Sequence, residues 1–332
     1  MIRIVLISCF ISLYSALYAQ TEETEFKKSA DSIIRAEFPR ARMFNIDYNQ
    51  SGGRDFESEF LGNAYQKGHI NQQETVTIST NIPLAKTKKW TLTGSATYKY
   101  VEYEFNALEN TTPMPLFEQH GVVNFHNFST AVSSTYFSKL FGKLPVIYNA
   151  SIIADGSNNG FERVKGLIGA SLILKRNATT SITLGTLVFL DPTAQIPFSP
   201  TFTYNHKFKN SSWEFDFILP QRILLRRPIS TKGRLSIGSE FGSNGFYVNV
   251  KHPNYPSVFE YSQLEINNGL TYEHKLTNSI YATVKGGITT FVSNRLTEKG
   301  EPSKEYIYNN KQDPTGYFNI GLSINPFNKK KK

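Results

Sequence analysis

From about residue 42 to the end of the chain, apolar and polar residues take turns. Trp90, Leu92, Gly94, Ala96, Tyr98 and Tyr100 fall on one face of an extended segment, and Thr91, Thr93, Ser95, Thr97 and Lys99 on the other. A period of two is what a strand with one greasy and one wet face requires. The division returns repeatedly. Val76, Ile78 and Ile82 oppose Thr75, Thr77, Ser79 and Asn81; Val146, Tyr148, Ala150 and Ile152 form another apolar face. Trp213, Phe215, Phe217 and Leu219 oppose Glu214 and Asp216, and Phe318, Ile320, Leu322 and Ile324 oppose Asn319, Gly321 and Ser323.

Walking this alternation predicts fourteen antiparallel strands, over 42–50, 72–84, 89–104, 122–138, 145–154, 163–175, 179–190, 197–208, 211–219, 222–229, 234–250, 258–274, 279–292 and 315–327. Short connections (85–88, 140–144, 175–179, 209–211, 230–233, 275–278) alternate with longer ones (51–70, 106–121, 155–162, 191–196, 251–257, 293–314). An up-and-down barrel with tight periplasmic turns and long outer loops has this arrangement, and an even count puts both ends on the periplasmic side. One reversal is forced by parity: the chain from Ser211 to Ser230 runs between two short turns, so it must rise and return, with Pro220 as the turning point. Twelve strands is the nearest alternative count, and sixteen the next.

A sheet with one apolar face on every strand belongs in lipid only if it closes, because an unpaired backbone amide in hydrocarbon costs several kcal/mol. The predicted fold is therefore all-β, an up-and-down antiparallel transmembrane β-barrel over residues 41–327. Trp90, Tyr98, Tyr100, Trp213 and Tyr317 are expected on its outer face near strand ends, where aromatic girdles sit. A secreted β-sandwich or adhesin module is the rival, and it leaves the confinement of short turns to alternate connections unexplained. Composition agrees with strands: 39% of residues are hydrophobic while 14% are aromatic, with 25 Phe and 18 Tyr. No stretch after the N-terminal leader reaches the roughly 18 consecutive apolar residues of a spanning helix.

The leader itself, residues 1–19, carries Arg3, an apolar run from Ile4 to Leu17 and then Tyr18-Ala19-Gln20, the order of a secretory signal peptide cleaved after Ala19. It contains Cys9, the chain's one cysteine, so disulfide scaffolds, thiolate catalysis and cysteine-ligated metal are excluded from the mature chain. Residues 20–40, with Phe26, Ile33, Ile34 and Phe38 in a short helical rhythm, are expected to form a periplasmic arm, either mobile or tucked into the barrel as a plug. Net charge is +9, and Lys329 to Lys332 in the tail 328–332 carry four of those charges. What remains on the body is too diffuse for a nucleic-acid footprint.

Gly316 to Phe327, with its glycine, alternating apolar residues and near-terminal aromatic, resembles the closing strand by which outer-membrane barrels are recognised by the barrel-assembly machinery; Asn328 and the lysines after Phe327 depart from that pattern. Ile218-Leu219-Pro220-Gln221-Arg222-Ile223-Leu224-Leu225-Arg226, followed by Arg234-Leu235-Ser236-Ile237-Gly238 and Gly245-Phe246-Tyr247-Val248, resembles an uncharacterised family of outer-membrane barrels common in Bacteroidota. The resemblance implies fold and compartment and brings no activity with it.

Candidate chemistry is sparse. His126 and Ser129 invite comparison with outer-membrane lipid hydrolases, but residues three apart on a strand face opposite sides, so no enzyme is expected. Glu102 and Glu104 share a face, as do Glu214 and Asp216, and paired carboxylates alone are weak evidence of acid–base work. His69, His120, His206, His252 and His274 show no ligand spacing, so neither a metal nor a cofactor is expected. The charges expected to face the lumen are Lys99, Lys165, Glu214, Asp216, Arg222, Arg226, Arg234, Glu240, Glu265 and Lys285. Two readings follow. They line a pore that sorts small solutes by charge, or they pair into a network that fills the barrel and leaves a non-conducting scaffold whose outer loops bind a partner. Fourteen strands enclose more space than side chains alone fill in eight, which favours a cavity.

Overall fold

The computed structural model describes residue 38 and residues 42–110, 121–250 and 255–326. The leader 1–19, the arm 20–40 apart from Phe38, the middle of the 106–121 connection, residues 251–254 and everything beyond 326 lie outside them.

Among the described residues, sixteen strands form one antiparallel sheet. They are β1 (Phe44–Ser51), β2 (Arg54–Phe60), β3 (Asn63–Lys86), β4 (Trp90–Asn110), β5 (Gly121–Leu140), β6 (Leu144–Ser157), β7 (Gly160–Arg176), β8 (Thr180–Leu190), β9 (Phe198–Lys207), β10 (Glu214–Leu219), β11 (Arg222–Pro228), β12 (Gly233–Asn249), β13 (Val258–Lys275), β14 (Ile280–Glu298), β15 (Tyr308–Gln312) and β16 (Thr315–Ile324). The sheet closes where β1 meets β16, in register from Phe44 opposite Ile324 to Ser51 opposite Tyr317. β2 follows β1 after Gly52 and Gly53, β15 precedes β16, and the two pair with each other above the closure. They are upper extensions, so fourteen strands make the wall. The forced reversal at Pro220 is present, with β10 and β11 paired from Glu214 opposite Arg226 to Ile218 opposite Arg222.

The two faces of the wall are chemically inverted relative to a soluble protein. Ile78, Ile82, Trp90, Val132, Ile168, Val284, Ile288, Ile320 and Leu322 are exposed on the outside, while Asp216, Gln263, Asn294 and Thr289 are buried inside. The apolar outer face ends on β3 and β4 at Glu74 and Glu102, which stand opposite each other in register. Around this boundary Tyr48 donates to Gln50 (3.3 Å), Gln50 to Gln72 (2.9 Å), and the Tyr98 hydroxyl meets His126 Nδ1 (2.9 Å), a belt of polar-tipped rings at a lipid–water interface. Tyr317 does not join it. Phe318 is exposed on the outer face, so its neighbour Tyr317 points inward; its place in the predicted girdle was a mistaken parity.

Above that boundary the strands continue. β3 has 24 residues and β4 has 21, against the roughly 9–11 a tilted strand needs to cross a bilayer. The predicted outer loop 51–70 is instead β2 and the first part of β3, and half of 293–314 is the end of β14 plus β15. Alternation persists in β2, where Arg54, Phe56 and Ser58 are buried and Asp55 and Glu57 exposed. Its outer residues are charged because they face water, so the greasy signature of a lipid-facing strand is missing.

One row of glycines shapes the wall. Gly238, Gly269 and Gly287 stand side by side on β12, β13 and β14. A Cβ on each would lie 2.0, 2.2 and 1.9 Å from the carbonyl oxygens of Ile223, Gly286 and Asn268. Only glycine permits so close an approach, and Gly238 also has φ +150°. Such a row of glycines lets a sheet bend sharply.

Candidate functional site

Above the glycine row the β12–β13 hairpin leaves the cylinder and leans across the mouth of the barrel. Its partner β11 ends at Arg222 opposite Glu240, followed by one further bond from Phe241 N–H to the Gln221 carbonyl (2.8 Å). Freed from that side, the hairpin places one face against β4 and β5. Phe246 stacks on Phe125 with ring centroids 4.2 Å apart and on Tyr261 at 4.7 Å, with Tyr103 at 6.1 Å. These rings belong to a buried cluster with Phe56, Tyr65, Ile70, Leu296 and Tyr308, contributed by strands from both sides of the closure. Burial pushes the Tyr308 phenol above its ordinary pKa and keeps it neutral.

The other face of the hairpin meets charge. Arg163 on β7 pairs with Glu260 on β13 (2.8 Å) and with Asp191. Lys165 pairs with Glu260, with Asp155 (3.0 Å) and at longer range with Asp191 (3.7 Å), and lies over the Tyr247 ring at 5.7 Å. Two cations face three carboxylates, all largely buried. Removing one member of such a group leaves a desolvated charge without its partner, which is costly. Lys99 on β4 reaches Asn244 on β12 (2.9 Å), tying the hairpin to the wall below the rings.

Deeper in the lumen the remaining expected charges fall into separate groups. Asp216, fully buried, receives Arg222 Nε (2.9 Å) and Arg226 Nη2 (2.6 Å). Glu214 stands opposite Arg226 in register. Glu265 accepts from Gln263 Nε2 (2.6 Å) and Asn267 Nδ2 (3.2 Å). Glu240 and Lys285 pair at 2.5 Å and keep side-chain exposures of 31% and 30%, so the middle of the barrel is wet. At the periplasmic end Arg234 holds Glu273 (2.5 Å), which Arg42 also engages. Phe38 is buried there, 6.1 Å from the Tyr281 ring with the Arg234 guanidinium over it at 4.8 Å. Phe38 thus lies inside the barrel at the end where the short turns are.

Sequence reasoning missed Arg42, Asp155, Arg163, Asp191, Glu260 and Glu273. Alternation shows that a side chain points inward, but it carries no sign of which distant strand it will meet. Arg163 shares a face with Lys165, and that was the one available signal. His126 and Ser129 lie on opposite faces, His126 against Tyr98 outside and Ser129 on the inner face of β5. Among the described residues no three or more of His, Cys, Asp and Glu gather in a way that could hold a metal ion.

No protein-family profile matches the chain, and no curated protein matches it. Solved structures with a similar course of chain include an outer-membrane channel from Pseudomonas putida F1 (10% identity over 86% of this chain and 96% of that one, TM-score 0.37). A FadL homologue from Pseudomonas aeruginosa (7%, 87% and 91%, 0.40) and the outer-membrane protease OmpT from Escherichia coli (8%, 85% and 96%, 0.26) are further examples. The likeness is to barrels of more than one activity.

Proposed function

We propose that the protein is a channel or carrier for small solutes in the bacterial outer membrane, shut at its outer mouth in this conformation. The observation that carries the reading is the wet, charged middle of the barrel, marked by Glu240 and Lys285, beneath a hairpin that closes the mouth through ion pairs on one face. Lumen charges would select solutes, and movement of β12–β13 would admit them. Kinship with the Bacteroidota-type family rests on residues 218–248, and passage through a signal peptide rests on residues 1–19.

A second reading, a non-conducting scaffold, is favoured by the folded cap above the membrane, which has its own aromatic core and offers a charged outer surface to a partner. Planar-bilayer recording separates the two. Stable steps from the wild-type barrel, becoming more frequent in Glu260→Gln, support a gated channel. Silence from both, with the barrel intact by its heat-modifiable gel mobility, supports the scaffold.

A further inference from the structure

We infer that the wall has a lateral opening toward the outer leaflet, above the β10–β11 hairpin, through which an amphiphile places its apolar tail in lipid while its polar head sits in the lumen. The inference deepens the transport reading and rests on it for the direction of traffic, but not for the existence of the opening. β10 has 6 residues and β11 has 7. At about 3.3 Å per residue and a tilt near 40°, six residues climb only about 15 Å, whereas the apolar band of an outer-membrane barrel is about 25 Å tall. The hairpin starts beside Trp213, over which Arg227 packs (5.5 Å), at the end of the wall where the short turns lie. Its tip at Pro220 and Gln221 therefore stops inside the outer half of the membrane.

Both neighbours continue above the hairpin tip, paired on their far sides with β8 and β13 but with no strand on the side of the gap. β9 extends above its last pairing with β10, Phe202 opposite Leu219, as far as Phe198. β12 extends above Glu240 and leans inward, away from the gap. The rim is apolar: Leu219, Ile223 and Phe198 are all exposed. The lumen just inside is polar, with Arg222 on Asp216 and Glu240 on Lys285. A greasy notch opening on a charged chamber matches a molecule with one end of each kind. A wholly polar solute gains nothing from the rim, and a wholly apolar one gains nothing from the chamber.

The mature chain has no cysteine if cleavage follows Ala19, so single labels are clean. A fluorophore on Glu240→Cys, just inside the notch, is compared with one on Thr77→Cys, which faces the lumen behind the tall β3–β4 wall. The barrel is reconstituted in bilayers containing a lysophospholipid with a brominated tail. Quenching at position 240 and none at 77 is expected, and lengthening the β10–β11 hairpin by two residues on each strand should abolish it. Absence of quenching at 240, or equal quenching at both positions, overturns the opening. A variant that retains heat-modifiable mobility counts as folded. Conductance is recorded on the same samples, so a silent barrel that still shows quenching at 240 refutes the channel and leaves the opening standing.

Discussion

The same strands build two regions with opposite chemistry. Within the membrane, β3 turns Val76, Ile78 and Ile82 outward and Thr75 and Gln73 inward; above it, the apolar side chains Tyr65 and Ile70 are buried inside and charge lies outside. β13 and β14 make the same switch, from Leu270 and Val284 facing lipid to Phe259 and Leu296 in the aromatic cluster. Hydrophobic residues thus follow the solvent on each side of the wall and not the strand that carries them. The membrane belt is stabilised by lipid on the outside and a satisfied polar interior. The cap is stabilised as a soluble protein is, by rings removed from water at about 1.5–3 kcal/mol each.

The comparison can be broken at the point where the two regions join. Gly287→Ala puts a Cβ where the Asn268 carbonyl already lies, at 1.9 Å, and the neighbouring strand cannot yield without losing its ladder. Failure to assemble is expected, read as loss of heat-modifiable mobility. Phe246→Ala empties the centre of the cap and should cost about 3–5 kcal/mol, measured by urea unfolding in vesicles. The membrane belt should survive as a separate, later transition if the two regions are energetically distinct. Ile320→Lys, a cation on the lipid face near mid-membrane, should cost about 2–4 kcal/mol. The same kind of change at Leu61, exposed at the tip of the β2–β3 hairpin, should stay within roughly 0.5 kcal/mol. Equal costs at the two positions would show that the outer hairpins are not in water.

This inversion also explains how far the sequence could be read. The fourteen wall strands were predictable because lipid demands an apolar residue at every second position, as in Phe318, Ile320 and Leu322. Even the short β10–β11 pair followed from counting turns. β2 and β15 were not, because Glu57, Glu59 and Lys311 face water and break the greasy rhythm while the backbone stays extended. The lean of β12–β13 was hidden for a different reason. Gly238 and Gly242 to Gly245 lie within an ordinary alternating stretch, and nothing local says that β11 will stop short beside them. Pairings such as Arg163 with Glu260, 97 residues apart, depend on that lean and were out of reach with it.

The junction of β1 with β16 bears on how the molecule is made. The strand that begins the wall finds its partner only once β16 is in place, so every intermediate before that carries two raw edges. Arg42 acts as a staple there: it donates to Ser323 (3.1 Å) and Thr283 (3.3 Å) and engages Glu273, stitching the first strand to the three that precede it around the ring. Loss of that arginine should slow the sealing of the seam, read as the rate at which heat-modifiable mobility appears during insertion into vesicles.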